Sequence, residues 1–104
     1  PTLLLPELAA ATARGRNDSN LALAFASAVG RLPYLDLVSV DVPLAEEALR
    51  VAAVRRLRGS DAIYAAVALR FGACLVTLDH EHLRRLSPLI AVRSPVEILA
   101  QASV

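Results

Sequence analysis

Apolar residues along the chain recur at two spacings, one typical of helices and the other typical of strands. The helical spacing, together with end signals, predicts helices at residues 1–15, 17–32, 43–58, 60–71 and from 95 onward, with a short helical turn at 83–86. Short alternating or continuously apolar runs predict strands at 35–40, 74–78 and 89–92. Helices that alternate with short apolar strands predict an α/β fold, a three-layer α/β/α sandwich with a central parallel sheet.

Residue types at the segment ends support these boundaries. Asn17 or Asp18 is a suitable N-cap for the second helix, and Gly59 is expected to close the third. Gly72 is expected to stop the fourth helix. The sequence Ser94-Pro95-Val96-Glu97 forms a capping box with proline at the first helical position, so we expect a C-terminal helix there.

Composition narrows the class of protein. The 104 residues predict one domain, 1–104, and 56% of them are apolar, which is enough to bury a core without disulfides. The single Cys74 lies in an apolar run, so we expect a buried structural thiol. The formal charge is +1, which excludes a general polyanion-binding surface, and all basic residues are Arg. No apolar run is long enough for a membrane span, so we expect a cytoplasmic protein without membrane contact.

Three acidic residues fall at comparable places in the predicted fold. Glu7 and Asp61 lie in the first turns of helices, and Asp79 directly follows the strand at 74–78. In an open parallel sheet the ends of strands and the starts of the following helices share one edge, so the three side chains could converge there. Carboxylates gathered at one point favour Mg²⁺ or Mn²⁺ between them. Alternatively, each acid only stabilises the start of its own helix.

Two stretches around these acids resemble a known family. Residues 57–68, LRGSDAIYAAVA, and residues 72–79, GACLVTLD, resemble the C-terminal signature of PIN domains, the ribonuclease fold of VapC-type toxins. Residues 5–9, LPELA, are similar to the earlier helix of that family, although the spacing from proline to glutamate is shorter. The likeness extends over about residues 5–100.

The resemblance implies that the intact protein is a metal-dependent ribonuclease that uses Mg²⁺ or Mn²⁺. Asp61 and Asp79 match the later two acids of the family quartet, and Glu7 matches its glutamate. Thr77 and Ser60 would donate hydrogen bonds to these groups. The family's first strand and its aspartate have no counterpart, so we expect an N-terminally truncated domain that lacks that strand and the first helix.

The resemblance also implies partners. We expect an RNA substrate, a cognate antitoxin protein and a homodimer, and Arg14 and Arg16 are candidates for RNA binding. A run of three arginines at 55, 56 and 58 either binds phosphate or merely complements a helix end.

Other polar residues leave alternatives open. His80 and His82 flank Glu81 and could suggest a zinc site, but a short polar surface helix is the favoured interpretation. Glu81 could add a ligand to the metal site. A catalytically inactive module that binds RNA or protein is the alternative function. A receiver-like signalling domain would need a late lysine, and the chain has none.

Overall fold

The computed structural model describes residues 1–102, which divide into two compact units, Pro1–Val40 and a second that begins at Asp41. The elements in chain order are α1 (Leu4–Arg16), α2 (Ser19–Gly30), α3 (Val42–Arg55), α4 (Gly59–Phe71), β1 (Leu75–Val76), α5 (His80–Leu86), β2 (Val92–Arg93) and α6 (Pro95–Ala102).

The first unit is built on the two helices that the sequence predicts. Asn17 adopts a left-handed backbone, with φ of 50°, and ends α1. Asp18 then caps α2, because its side chain accepts the N–H of Leu21 at 3.0 Å. On α2, Ala22 and Ala26 are buried. Small residues on this face let the two helices of the hairpin approach each other closely.

The strand predicted at 35–40 is wrong. The backbone there is irregular, and the carbonyl of Val38 accepts the N–H of Thr2 at 2.8 Å. Alternation of apolar and polar residues indicates which side chains could share a buried face. It does not supply the neighbouring backbone that a strand needs to complete its hydrogen bonds.

The second unit is centred on the pair α3 and α4. Asp41 caps α3 by accepting the N–H of Leu44 at 2.9 Å. α3 ends at Arg55 and not near Arg58, because Arg56 adopts a left-handed backbone with φ of 56°. Gly59 therefore begins α4 and does not close α3. The buried apolar residues of the two helices are Leu44, Ala48, Val51, Ala62, Ala65, Ala66 and Ala68.

The two strands confirm an α/β chain with parallel pairing. Leu75 pairs with Val92 and Val76 pairs with Arg93, so each strand is shorter than predicted and the second begins later. Within residues 1–102 these two strands form a two-stranded sheet, so the three-layer sandwich is not confirmed.

The prediction of a buried thiol at Cys74 is wrong. Cys74 is exposed, and Val76 and Leu78 nearby are 49% and 79% exposed. An apolar run predicts burial only where another element covers it, and here one side of the strand segment is open.

The C-terminal helices include one unexpected boundary. α5 begins at His80, three residues before the predicted turn, and the side chain of Leu86 at its end is fully buried. The capping box of α6 is confirmed: Ser94 N–H donates to Glu97 at 3.0 Å, and Glu97 N–H donates to the Ser94 hydroxyl at 3.2 Å. Within residues 1–102, no helix is long and apolar enough to cross a membrane.

Candidate active site

Asp61 reaches the site from the first turn of α4. The helix begins at Gly59 after Arg58, whose extended backbone serves as the N-cap. An acid in this turn is stabilised by the unpaired N–H groups of the helix start. The Asp61 side chain is one-third exposed, at 33%, so it can meet both protein groups and a ligand from solvent.

Asp79 is the N-cap of α5. Its Oδ1 accepts the N–H of Glu81 at 2.8 Å, and its own N–H donates to the hydroxyl of Thr77 at 3.1 Å. The hydrogen bond from Glu81 N–H is the main cause that lowers the pKa of Asp79 below its ordinary value, and the nearby His82 lowers it further. Asp79 is therefore a carboxylate at neutral pH, with Oδ2 turned away from the cap.

The imidazole of His82 joins these two carboxylates. Its Nε2 lies 3.2 Å from Asp61 Oδ2 and 3.6 Å from Asp79 Oδ2. Its Nδ1 lies 3.5 Å from the hydroxyl of Thr77. The Thr77 hydroxyl also accepts the N–H of Asp79, so this one side chain contacts both residues.

The convergence of Asp61 and Asp79 follows the expectation from strand ends, whereas the position of His82 does not follow from the sequence reasoning. His82 was expected on a polar surface helix, yet its side chain is only 15% exposed. A usable signal was present: Asp79 and His82 are three residues apart across the first turn of a helix, and such residues share a face.

The other candidate residues lie in the first turns of α4 and α1 and in the last turn of α1. Ser60 is half-buried in the first turn of α4, next to Asp61. Glu7 is an exposed residue in the first turn of α1, and Arg14 and Arg16 are exposed in its last turn. Glu7, Arg14 and Arg16 belong to the first unit, whereas Asp61, Asp79 and His82 belong to the second. The roles of these three first-unit residues stay predictions.

Glu81, the candidate for an additional metal ligand, forms salt bridges with two arginines. Its Oε2 accepts Arg84 at 2.7 Å and Arg85 at 3.1 Å. Of the two, Arg85 also lines the hollow that contains Asp61 and Asp79. A metal would have to displace both guanidinium groups to bind Glu81. His80, the other histidine of the pair, is exposed.

The Asp61–His82–Asp79 cluster lies in an open hollow of about 360 Å³ within the second unit. The charged residues that line it are Arg56, Arg58, Asp61, Asp79, Glu81, His82 and Arg85. Acidic groups that can hold a cation therefore lie beside basic groups that can hold an anion.

The donor chemistry of the carboxylate pair suits Mg²⁺ or Mn²⁺, whose preferred ligands are oxygens. Among residues 1–102, no group of three or more His, Cys, Asp or Glu is arranged to hold a metal ion. Magnesium is commonly bound through one or two carboxylates, with waters and substrate phosphates as its other ligands. The Oδ2 atoms of Asp61 and Asp79 both lie within 3.6 Å of His82 Nε2.

Comparisons with known proteins assign the family. No curated protein and no solved structure matches this chain. The family model of the PIN domain matches residues 1–87, which include Glu7, Asp61, Asp79 and His82. Because the match covers well over half of the 104 residues, the chain belongs to the PIN-domain family.

Proposed function

We propose that this chain is an endoribonuclease that depends on Mg²⁺ or Mn²⁺ and cleaves single-stranded or structured RNA. PIN domains are generally nucleases, bind RNA and typically use divalent metal ions. The observation that carries the proposal is the meeting of Asp61 and Asp79 in a hollow that arginines also line.

Asp61 and Asp79 would hold the ion, and the resemblance adds Glu7 as a third ligand, a role that stays a prediction. When bound, a divalent ion activates water and stabilises the negative charge that develops at a phosphodiester. Asp79 Oδ1 accepts the N–H of Glu81, so Oδ2, which lies near His82 and Asp61, is the oxygen that would contact the ion.

Other residues of the cluster position the two carboxylates. Thr77 fixes the start of α5 through the N–H of Asp79 and also contacts His82. Its side chain therefore supports both groups that face Asp61. Ser60 would donate a hydrogen bond near Asp61, a role that its place in the first turn of α4 permits.

The wider role follows from the resemblance to VapC-type toxins. The chain would be the toxin of a type II toxin–antitoxin pair, inhibited by a small antitoxin protein, homodimeric and cytoplasmic. Arg14 and Arg16 would contribute to RNA binding. In this proposal the domain has the three-layer sandwich of the family, with β1 and β2 in its central parallel sheet.

Metal-dependent cleavage of RNA tests the proposed activity. Fluorescently labelled single-stranded RNA is incubated with the chain in Mg²⁺, in Mn²⁺ and in EDTA, and the products are separated by electrophoresis. We expect cleavage with either metal, none in EDTA, and a loss of at least about 100-fold in Asp61→Asn, as for removal of a group that stabilises transition-state charge.

The matched control is Asp36→Asn, which removes one exposed carboxylate from the first unit. Its cleavage rate should equal that of the parent chain. Equal rates in Asp61→Asn and the parent, or cleavage in EDTA, would contradict the proposal. Absence of cleavage by the parent, with RNA or protein binding retained, would support the catalytically inactive module.

A further inference from the structure

Beside the carboxylate hollow, the second unit contains another open hollow, of about 340 Å³. Its lining residues are Val54, Arg55, Arg56, Arg84, Arg85 and Pro88. Four of these are arginines and none is acidic. Arg56 and Arg85 line both hollows, so the two form one continuous surface. We call the second one the arginine hollow.

Two helix ends bring these arginines together. Arg55 closes α3, and Arg84 and Arg85 lie in the last turn of α5. Arg85 joins the ends directly, because its Nη1 donates to the backbone carbonyl of Arg56 at 2.7 Å. The left-handed backbone of Arg56, with φ of 56°, turns the chain at this contact.

Helix-end electrostatics does not account for this arrangement by itself. A cation in the last turn favours its own helix, but four guanidinium groups around one hollow repel one another unless an anion is shared. Glu81 offsets part of that charge through Arg84 and Arg85, whereas no acidic side chain lines the arginine hollow. The guanidinium fork is suited to phosphate oxygens.

We propose that the arginine hollow binds the phosphodiester backbone of single-stranded RNA next to the phosphate at Asp61 and Asp79. This inference rests on the proposed function, because it names how the substrate of that site is held. The two hollows are continuous, and this favours RNA over an acidic protein as the ligand. Arg56 and Arg85 would contact the same RNA strand whose neighbouring phosphate lies at Asp61 and Asp79.

Salt dependence of RNA binding tests the inference without cleavage. Binding of labelled oligouridylate is measured by fluorescence anisotropy in EDTA over a range of salt concentrations. The variant Arg55→Gln/Arg84→Gln removes two charges of the arginine hollow and spares Arg85, which contacts the backbone of Arg56. The control Arg31→Gln/Arg50→Gln removes the same charge at exposed arginines that do not line either hollow.

We expect the slope of log affinity against log salt to fall in the first variant by about 0.7 for each lost phosphate contact. The control should keep the parent slope, and circular dichroism should give both variants the parent's melting temperature.

Equal slopes for the two variants on the long RNA would overturn the inference. So would unchanged RNA binding combined with weaker binding of polyglutamate by Arg55→Gln/Arg84→Gln, because the hollow would then bind an acidic protein. These outcomes are independent of the nuclease proposal: a parent chain that cleaves RNA but has equal slopes loses only this inference. A parent chain without cleavage but with the expected slope change loses only the proposed activity.

Discussion

Because Leu86 is buried, we expect its side chain to hold α5, the helix that carries His82, in place. Leu86 is fully buried at the end of α5, and the same helix begins at Asp79 and carries His82. Leu86→Ala removes three carbons, whose transfer from water accounts for about 2.4 kcal/mol at about 0.8 kcal/mol per carbon. The cavity left behind adds to this, so we expect a loss of about 3–4 kcal/mol in the free energy of unfolding.

Urea unfolding followed by circular dichroism measures this loss. Leu49→Ala is the matched control, because it makes the same chemical change at a side chain on α3 that is 67% exposed. The control should cost less than about 0.5 kcal/mol. If both variants lose the same small amount of stability, Leu86 does not anchor α5, and the positions of Asp79 and His82 do not depend on its burial.

Three further predictions concern the ends of helices. Gly72→Ala should lower the free energy of unfolding by about 1 kcal/mol in urea or thermal unfolding, because φ at Gly72 is 59°. The control Gly59→Ala should leave the free energy of unfolding unchanged, because Gly59 has no steric contact either and lacks a positive φ. Asp41→Ala should cost about 1 kcal/mol in the same assay, since the N–H of Leu44 loses its acceptor. The hydrogen bond from Ser94 N–H lowers the pKa of Glu97 below its ordinary value of 4.5. Above about pH 4.5 the parent should therefore have a higher melting temperature than Glu97→Gln, and this difference should close as pH falls through the lowered pKa. A difference in melting temperature that widens in acid would contradict the prediction.

The sequence predicted the helices well because local interactions set their boundaries. Asp18 caps α2 and Gly72 ends α4, and these residue types act within a few positions of the backbone groups they satisfy. The end of α3 was missed for a related reason. Arg56 adopts the left-handed conformation that glycine favours, so the turn carries no glycine signal at the correct position.

The strands were predicted less well because each depends on a distant partner. The run at 74–78 contains β1, but pairing with Val92 and Arg93 limits the regular strand to two residues. Residues 35–40 alternate as a strand would and yet remain irregular. No local pattern specifies which segment, if any, lies alongside.

The candidate site was partly predictable for the same physical reasons. Asp61 and Asp79 could be expected to meet, because both lie at helix starts near one strand end. The contact of His82 with both carboxylates was not predicted, because it depends on α5 beginning at His80, three residues earlier than the predicted start. The arginine hollow required the contact of Arg85 with the backbone of Arg56, which joins residues far apart in the sequence.

Binding of Mn²⁺ to the chain tests the central claim most directly, because it requires neither RNA nor turnover. Free Mn²⁺ is counted by electron paramagnetic resonance during titration of the parent, Asp61→Asn, Asp79→Asn and the control Asp36→Asn. If Asp61 and Asp79 hold the ion, the parent and the control bind Mn²⁺ with equal affinity and each of the other two variants binds it at least about 10-fold more weakly. Equal binding by all four proteins would contradict the account, because the two carboxylates that meet at His82 would then not form the metal site.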